Sequence, residues 1–355
     1  MAARYFINGG VDNNWSTSGN WSATSGGAAS GVKPTAADDV FFDVNSPNCT
    51  IDSAGVGKTI NFTGYVSTIT MTFGLTISGN VTLVAAMTIA GTGSLTINAT
   101  ATITSNTKVF PNAMTFGDSL TITLADDLRV TGSVAISRPT LNGNTLYIGG
   151  DFINNYNSSG TTNIVLNGTG AWYYNYAANG PILNTVTINT SGTITMSGLM
   201  HLSTFTHTAG TVITTGVTLR VSTGTLNISA LSFENVDFRD LQTITLTSDL
   251  YVTVGLVCSR NTINGSSIYI AGNYNTGAIS TGFGLTATTI IVLNGTGTWS
   301  GLGLGNQTNI NTTGTITITT SYVNGAKLLY LAGTVITSAG TWTTGGGGSV
   351  GFFIQ

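Results

Sequence analysis

The chain has 355 residues, of which 10 are Lys or Arg and 13 are Asp or Glu, for a net charge of −3. Only 6% of its residues are charged, against about a quarter in an ordinary soluble domain. No basic run exists to neutralise a phosphate backbone or hold an acidic membrane surface, which argues against nucleic-acid and membrane partners, and no stretch approaches the roughly 18 apolar residues of a membrane helix.

The residue types present are those of strands and turns. Glu occurs once, at Glu234, whereas Thr, Ile and Val recur throughout and 47 glycines supply the breaks. That mixture reads as all-β. Cys49 and Cys258 are too few and too far apart for a disulfide framework, so both are expected to be structural thiols.

Residues 1–50 read as an N-terminal cap or attachment segment, rich in Trp, Asn, Ser and Gly and lacking a clean period. The expected roles are Trp15 and Trp21 covering a first coil and Asp38 with Asp39 closing a turn. Residues 1–10 lack the long apolar core of a secretory signal. The expectation is therefore a protein without a signal peptide that reaches the extracellular space through lysis.

Asp52-Ser53-Ala54-Gly55-Val56-Gly57-Lys58-Thr59 mimics a phosphate-binding loop, but Asp52 stands where the first Gly is required. The next residues, Ile60-Asn61-Phe62, read as a strand rather than the helix such a loop needs. Nucleotide binding is not expected, and no cofactor is implied.

From residue 51 to 340 the chain is a series of short alternating strands separated by Gly, Asn and Ser, and much of it is written twice. Thr121-Ile122-Thr123-Leu124 returns as Thr243-Ile244-Thr245-Leu246, and Asp127-Leu128-Arg129-Val130 as Asp249-Leu250-Tyr251-Val252, both 122 residues on. Ser137-Arg138 returns at Ser259-Arg260 and Asn142-Gly143 at Asn264-Gly265. The offset becomes 127 at Ile164-Val165-Leu166-Asn167 and Ile291-Val292-Leu293-Asn294, then returns to 122 at Ile188 and Ile310. With a degraded earlier copy, this divides the region into modules of about 62–115, 116–237 and 238–340.

Short strands at this spacing suit a sandwich, a propeller or a parallel solenoid. Gly breaks of variable length, Thr-x-Thr runs that would stack on one face, and five-residue loop changes that leave the flanking strands intact favour the solenoid. The expected fold is a right-handed parallel β-helix with an N-terminal Trp-rich cap. At three strands and roughly 20–24 residues per coil, the 122-residue offset amounts to about five to six coils. Residues 341–355, with Gly345 to Gly348 and then Phe352-Phe353, read as a closing or docking segment.

Aligning the copies separates scaffold from candidate recognition residues. Cys258 falls on Ile136, the mark of an apolar core position. Asp127 and Asp249 recur, suggesting a shared task such as turn capping or pairing with Arg138 and Arg260. The most asymmetric spot is Trp172-Tyr173-Tyr174-Asn175-Tyr176 against Trp299-Ser300-Gly301-Leu302-Gly303. Trp172, Tyr173, Tyr174 and Tyr176 are therefore the ligand or interface candidates, since aromatics on a loop can stack on sugars or form subunit contacts.

Other constellations carry less. His201 and His207 would share a face if the residues between them formed one straight strand, yet two His make an incomplete metal site. Glycan cleavage needs two carboxylates about a scissile bond. The available acids are Asp126, Asp127, Asp151, Glu234, Asp237, Asp240 and Asp249, the densest group being Glu234, Asp237 and Asp240 beside Arg239. Duplication of Asp127 with the scaffold favours structure over catalysis. Ice binding through the Thr68/Thr70/Thr72, Thr193/Thr195 and Thr315/Thr317/Thr319 runs is disfavoured by the variable coil lengths.

The opening residues Asn14-Trp15-Ser16, Asn20-Trp21-Ser22, Pro34 and Asp38-Asp39-Val40 resemble the Trp-Asn-Trp-Ser…Pro…Asp-Asp-Val openings of β-helical tailed-phage virion proteins and autotransporter-type surface proteins. The resemblance covers about the first 45 residues. It implies a capped β-helix with a virion or extracellular role, commonly a homotrimeric fibre, spike or capsid-surface component. The expectation is a non-enzymatic structural virion protein, capsid-decorating or fibre-like. Its expected partners are two copies of itself, other capsid or tail proteins and, through adhesion, host surface glycans. The alternatives are a bacterial cell-surface β-helix adhesin and a polysaccharide-degrading β-helix enzyme.

Overall fold

A computed structural model of the chain describes residues 2–10, 12–174, 185–229, 231–238, 243–258, 262–275, 289–300, 307–319 and 327–337. They form a β-solenoid of parallel, stacked coils with almost no helix, a single 3₁₀ turn at Ser18–Asn20 being the exception among the described residues. Contacts divide the chain into two units, Met1–Tyr176 with Asn184–Ile194, and Ala177–Leu183 with Thr195–Gln355.

In the first unit successive coils contribute parallel strands to three faces. The first face runs from Ala3–Phe6 through Asp39–Phe41, Thr59–Asn61, Val81–Thr82, Ala101–Thr104 and Thr121–Leu124 to Thr140–Gly143, each parallel to the next. The second begins with Cys49–Ile51, Thr68–Met71 and Thr88–Gly91, and its later coils carry Leu128–Val130, Leu146–Ile148 and Ile164–Leu166. The third stacks Gly55–Gly57, Leu75–Ile77, Leu95–Ile97, Met114–Asp118, Val134–Ser137, Phe152–Asn154 and Gly170–Tyr174. Leu128 faces Leu146, 18 residues on, whereas Leu166 faces Ile188, 22 residues on. In the second unit the spacing ranges further, from 17 residues between Leu293 and Ile310 to 25 between Tyr274 and Trp299, and a 122-residue offset spans about six coils.

Period-two alternation explains why these segments form strands. In Leu75-Thr76-Ile77 both aliphatic residues point inward and Thr76 points out, and in-register stacking lines like on like. One inward column of the third face reads Gly55, Leu75, Leu95, Met114, Val134, Phe152 and Trp172. At the head of that column Gly55 leaves room for the side chains packed around it. A Cβ there would come within 2.9 Å of Leu75 Cδ1 and 3.3 Å of the Trp15 ring.

The N-terminal residues add strands of their own. Tyr5 pairs in parallel with Phe41, and Trp21–Ser22 pairs antiparallel to the other edge of Ala3–Phe6. Trp15 donates its backbone N–H to Thr50, and Thr50 donates to Asn13, so this segment also extends the second face.

The second unit keeps the three-faced arrangement. Thr225, Thr245 and Asn264 align on one face, Tyr251 and Tyr269 on another, and Leu219, Val236, Leu256 and Tyr274 on the third. Its strands are longer than the sequence pattern suggests, because several continue round a corner without a break. Leu250–Cys258 pairs through Leu250 with Ile268 and through Leu256 with Tyr274. The Thr-x-Thr runs are placed within each unit separately. Thr70 lies on the second face of the first unit, whereas Thr317 aligns with Thr298 on the third face of the second unit.

Candidate functional site

At the N-terminus the four singled-out residues hold the local fold together. Trp15 and Trp21 are buried, their rings crossing at 76° with centroids 4.8 Å apart. The Trp21 indole N–H donates to the Trp15 carbonyl at 2.9 Å, Phe6 packs against Trp21, and Phe42 packs against both rings. Asp38 accepts hydrogen bonds from Ala2 N, Thr35 N and Thr35 Oγ1, with Arg4 Nε 3.6 Å away. Burial raises its pKa, but the bonds from Thr35 and Ala2 and the charge of Arg4 outweigh that and hold it below the ordinary value. Asp39 accepts from Thr59 Oγ1 in the next coil at 2.8 Å.

Sequence reasoning missed a third carboxylate here. Asp12 accepts from Asn14 N at 3.0 Å, Thr17 Oγ1 at 3.0 Å and Asn20 Nδ2 at 3.0 Å, which fixes the loop that carries both tryptophans. The readable signal was Asp two residues ahead of the Asn14 amide, the spacing of an Asx turn.

The aromatic cluster is split by the strand alternation. Trp172 and Tyr174 point inward and are buried, so they are core residues rather than ligand contacts. Tyr173, 44% exposed, projects outward. Tyr176, Phe352 and Phe353 lie outside the described residues, as do Arg239, Asp240 and Arg260.

The described acids do not converge. Asp126 accepts from Ser105 N and Asn106 N, Asp151 from Ala171 N, and Glu234 from Gly216 N, each about one coil away. Asp127 and Asp249 share a task, accepting from Thr145 N and Ser267 N in the following coil. Arg138 pairs with Asp118 rather than Asp127, because Asp118 stands 20 residues upstream in the preceding coil. Its guanidinium also lies 4.9 Å from the Tyr156 ring centroid. Asp237 pairs with Arg220 Nε at 3.1 Å.

The two His do not share a face. The strand ends at Leu202 and another starts at Phe205, so Ser203 and Thr204 turn the corner between them. Buried His201 bonds Ser222 Oγ through Nε2 at 2.7 Å, and half-buried His207 contacts the carbonyls of Ser229 and Gly210. No group of three or more potential metal ligands occurs among the described residues. The phosphate-loop mimic is two strands, Gly55–Gly57 and Thr59–Asn61. Cys49 and Cys258 are free, buried thiols, and Cys258 takes the inward position that Ile136 holds in the other copy.

One outward pair escaped the sequence reading. Tyr251 and Tyr269 stack at 4.9 Å with ring planes 13° apart. An open groove of about 510 Å³ beside them is lined by Ser232, Thr253, Ala271 and Asn294 as well as both tyrosines. The alignment exposed the exchange of Arg129 for Tyr251, but only the 18-residue coil brings Tyr251 onto Tyr269.

Comparison with protein-family models, curated proteins and solved structures returns no significant match.

Proposed function

We propose that the chain is a structural virion protein of a tailed bacteriophage, displayed on the particle as a capsid-decorating or fibre-like β-solenoid with an adhesive surface. The observation that carries this reading is the use of charge. Asp39, Asp126, Asp127, Asp151, Glu234 and Asp249 each bond a neighbouring coil, so these carboxylates brace a scaffold instead of flanking a scissile bond. Their placement favours a mechanical role over the polysaccharide-degrading one. The resemblance of the Trp15–Asp39 segment to phage β-helix openings supports the virion assignment, and on this reading the buried Trp15 and Trp21 serve as the cap of the first coil. A homotrimer is the assembly this reading expects.

Immunogold labelling of lysates from the culture that encodes the chain tests the assignment. Label on intact phage particles is the expected result. Label confined to bacterial envelopes would replace it with the cell-surface adhesin reading. Sedimentation equilibrium on the purified chain tests the trimer.

A further inference from the structure

The copies differ most usefully where their outward aromatics stack. In the first copy the Arg129 guanidinium lies 3.8 Å from the Tyr147 ring centroid and covers that face. In the second copy Tyr251 replaces Arg129 and covers Tyr269, the counterpart of Tyr147. The coil before Tyr251 presents only Ser232 in register with it. One face of the Tyr251 ring is thus stacked and the other is opposed by a small hydroxyl side chain. Tyr251 is 39% exposed, so this aromatic surface is open to solvent.

We propose that the Tyr251–Tyr269 groove binds a neutral saccharide. A sugar ring presents one face of C–H bonds, which suits the electron-rich face of an aromatic ring, and a rim of hydroxyls that needs uncharged donors and acceptors. The groove supplies both: the Tyr251 face, the Ser232 and Thr253 hydroxyls and the Asn294 amide. Among the described residues no Asp, Glu, Lys, Arg or His lines it, so the lining offers nothing to a charged ligand. Its volume of about 510 Å³ is within the range of small-molecule sites and open enough to admit one or two rings of a longer chain. This inference rests on the adhesive part of the proposed function and identifies the chemical class that is held.

Saturation-transfer NMR on the full chain tests it, with cellobiose, maltose and N,N′-diacetylchitobiose as probes. At least one should receive saturation from the protein. Tyr251→Arg should weaken binding by about tenfold, through loss of the open aromatic face. That substitution rebuilds the Arg129–Tyr147 pair of the first copy, so the fold should accept it, as an unchanged circular dichroism spectrum would verify. Arg129→Ala should leave binding unchanged. No saturation of any probe, or equal binding by wild type and Tyr251→Arg, would overturn the groove assignment. Either result would leave the virion assignment to be judged separately by particle labelling.

Discussion

Asp127 and Asp249 stand 122 residues apart and make the same bond, each carboxylate oxygen accepting the backbone N–H that opens a strand of the following coil, at 3.1 Å from Thr145 and 3.0 Å from Ser267. Their recurrence therefore has a structural cause. Replacing either with Ala should cost about 1 kcal/mol, the usual worth of such a bond at a partly solvated site. The pair share no partner, so the double variant should cost the sum. Urea denaturation of the single and double variants measures this, with Asp→Asn retaining part of the bond.

Acid should loosen the N-terminal segment. The Asp38 carboxyl is held below its ordinary value in the folded chain, so it binds its proton less readily folded than unfolded. Its contribution is complete above the unfolded pKa of about 3.9 and is lost as pH falls through the folded value. Thermal melts across this window should show stability declining, and Asp38→Asn should flatten the decline while lowering stability at neutral pH.

Burial governs the thiols. Desolvation, followed by the charge of Asp237, pushes Cys258 up to about 12, and desolvation with Asp52 raises Cys49. Neither forms the thiolate that attacks a disulfide reagent near neutral pH. The native chain should therefore leave 5,5′-dithiobis(2-nitrobenzoate) unreacted, and the denatured chain should release two equivalents of the coloured thiolate.

The inward positions were legible because alternation and duplication agree. Cys258 on Ile136 is assignable to the core from the sequence alone, since an apolar residue at a repeated inward place has little else to do. Relations between coils were not legible, because they depend on local coil length, which after the first coil varies from 17 to 25 residues. Hence Arg138 finds Asp118 instead of Asp127, and Tyr251 meets Tyr269. The burial of Tyr174 is a matter of parity: with Trp172 inward, Tyr173 must point out and Tyr174 in again. The corner at Ser203-Thr204 separates the two His, and neither residue marks a turn as plainly as Gly or Pro would.

Coils of about 20 residues, stacked parallel and in register, underlie every role assigned to these side chains, and a pair of engineered cysteines tests that arrangement directly. Thr76 and Thr96 face each other across adjacent coils, with Thr115 one coil farther. Adjacent strands lie ~4.8 Å apart, within the span of a disulfide, whereas a separation of two coils, ~10 Å, exceeds it. Mild oxidation should close an intramolecular disulfide in Thr76→Cys with Thr96→Cys and leave Thr76→Cys with Thr115→Cys as free thiols. Failure of the first pair to close, or equal closure of both, would contradict the stacking.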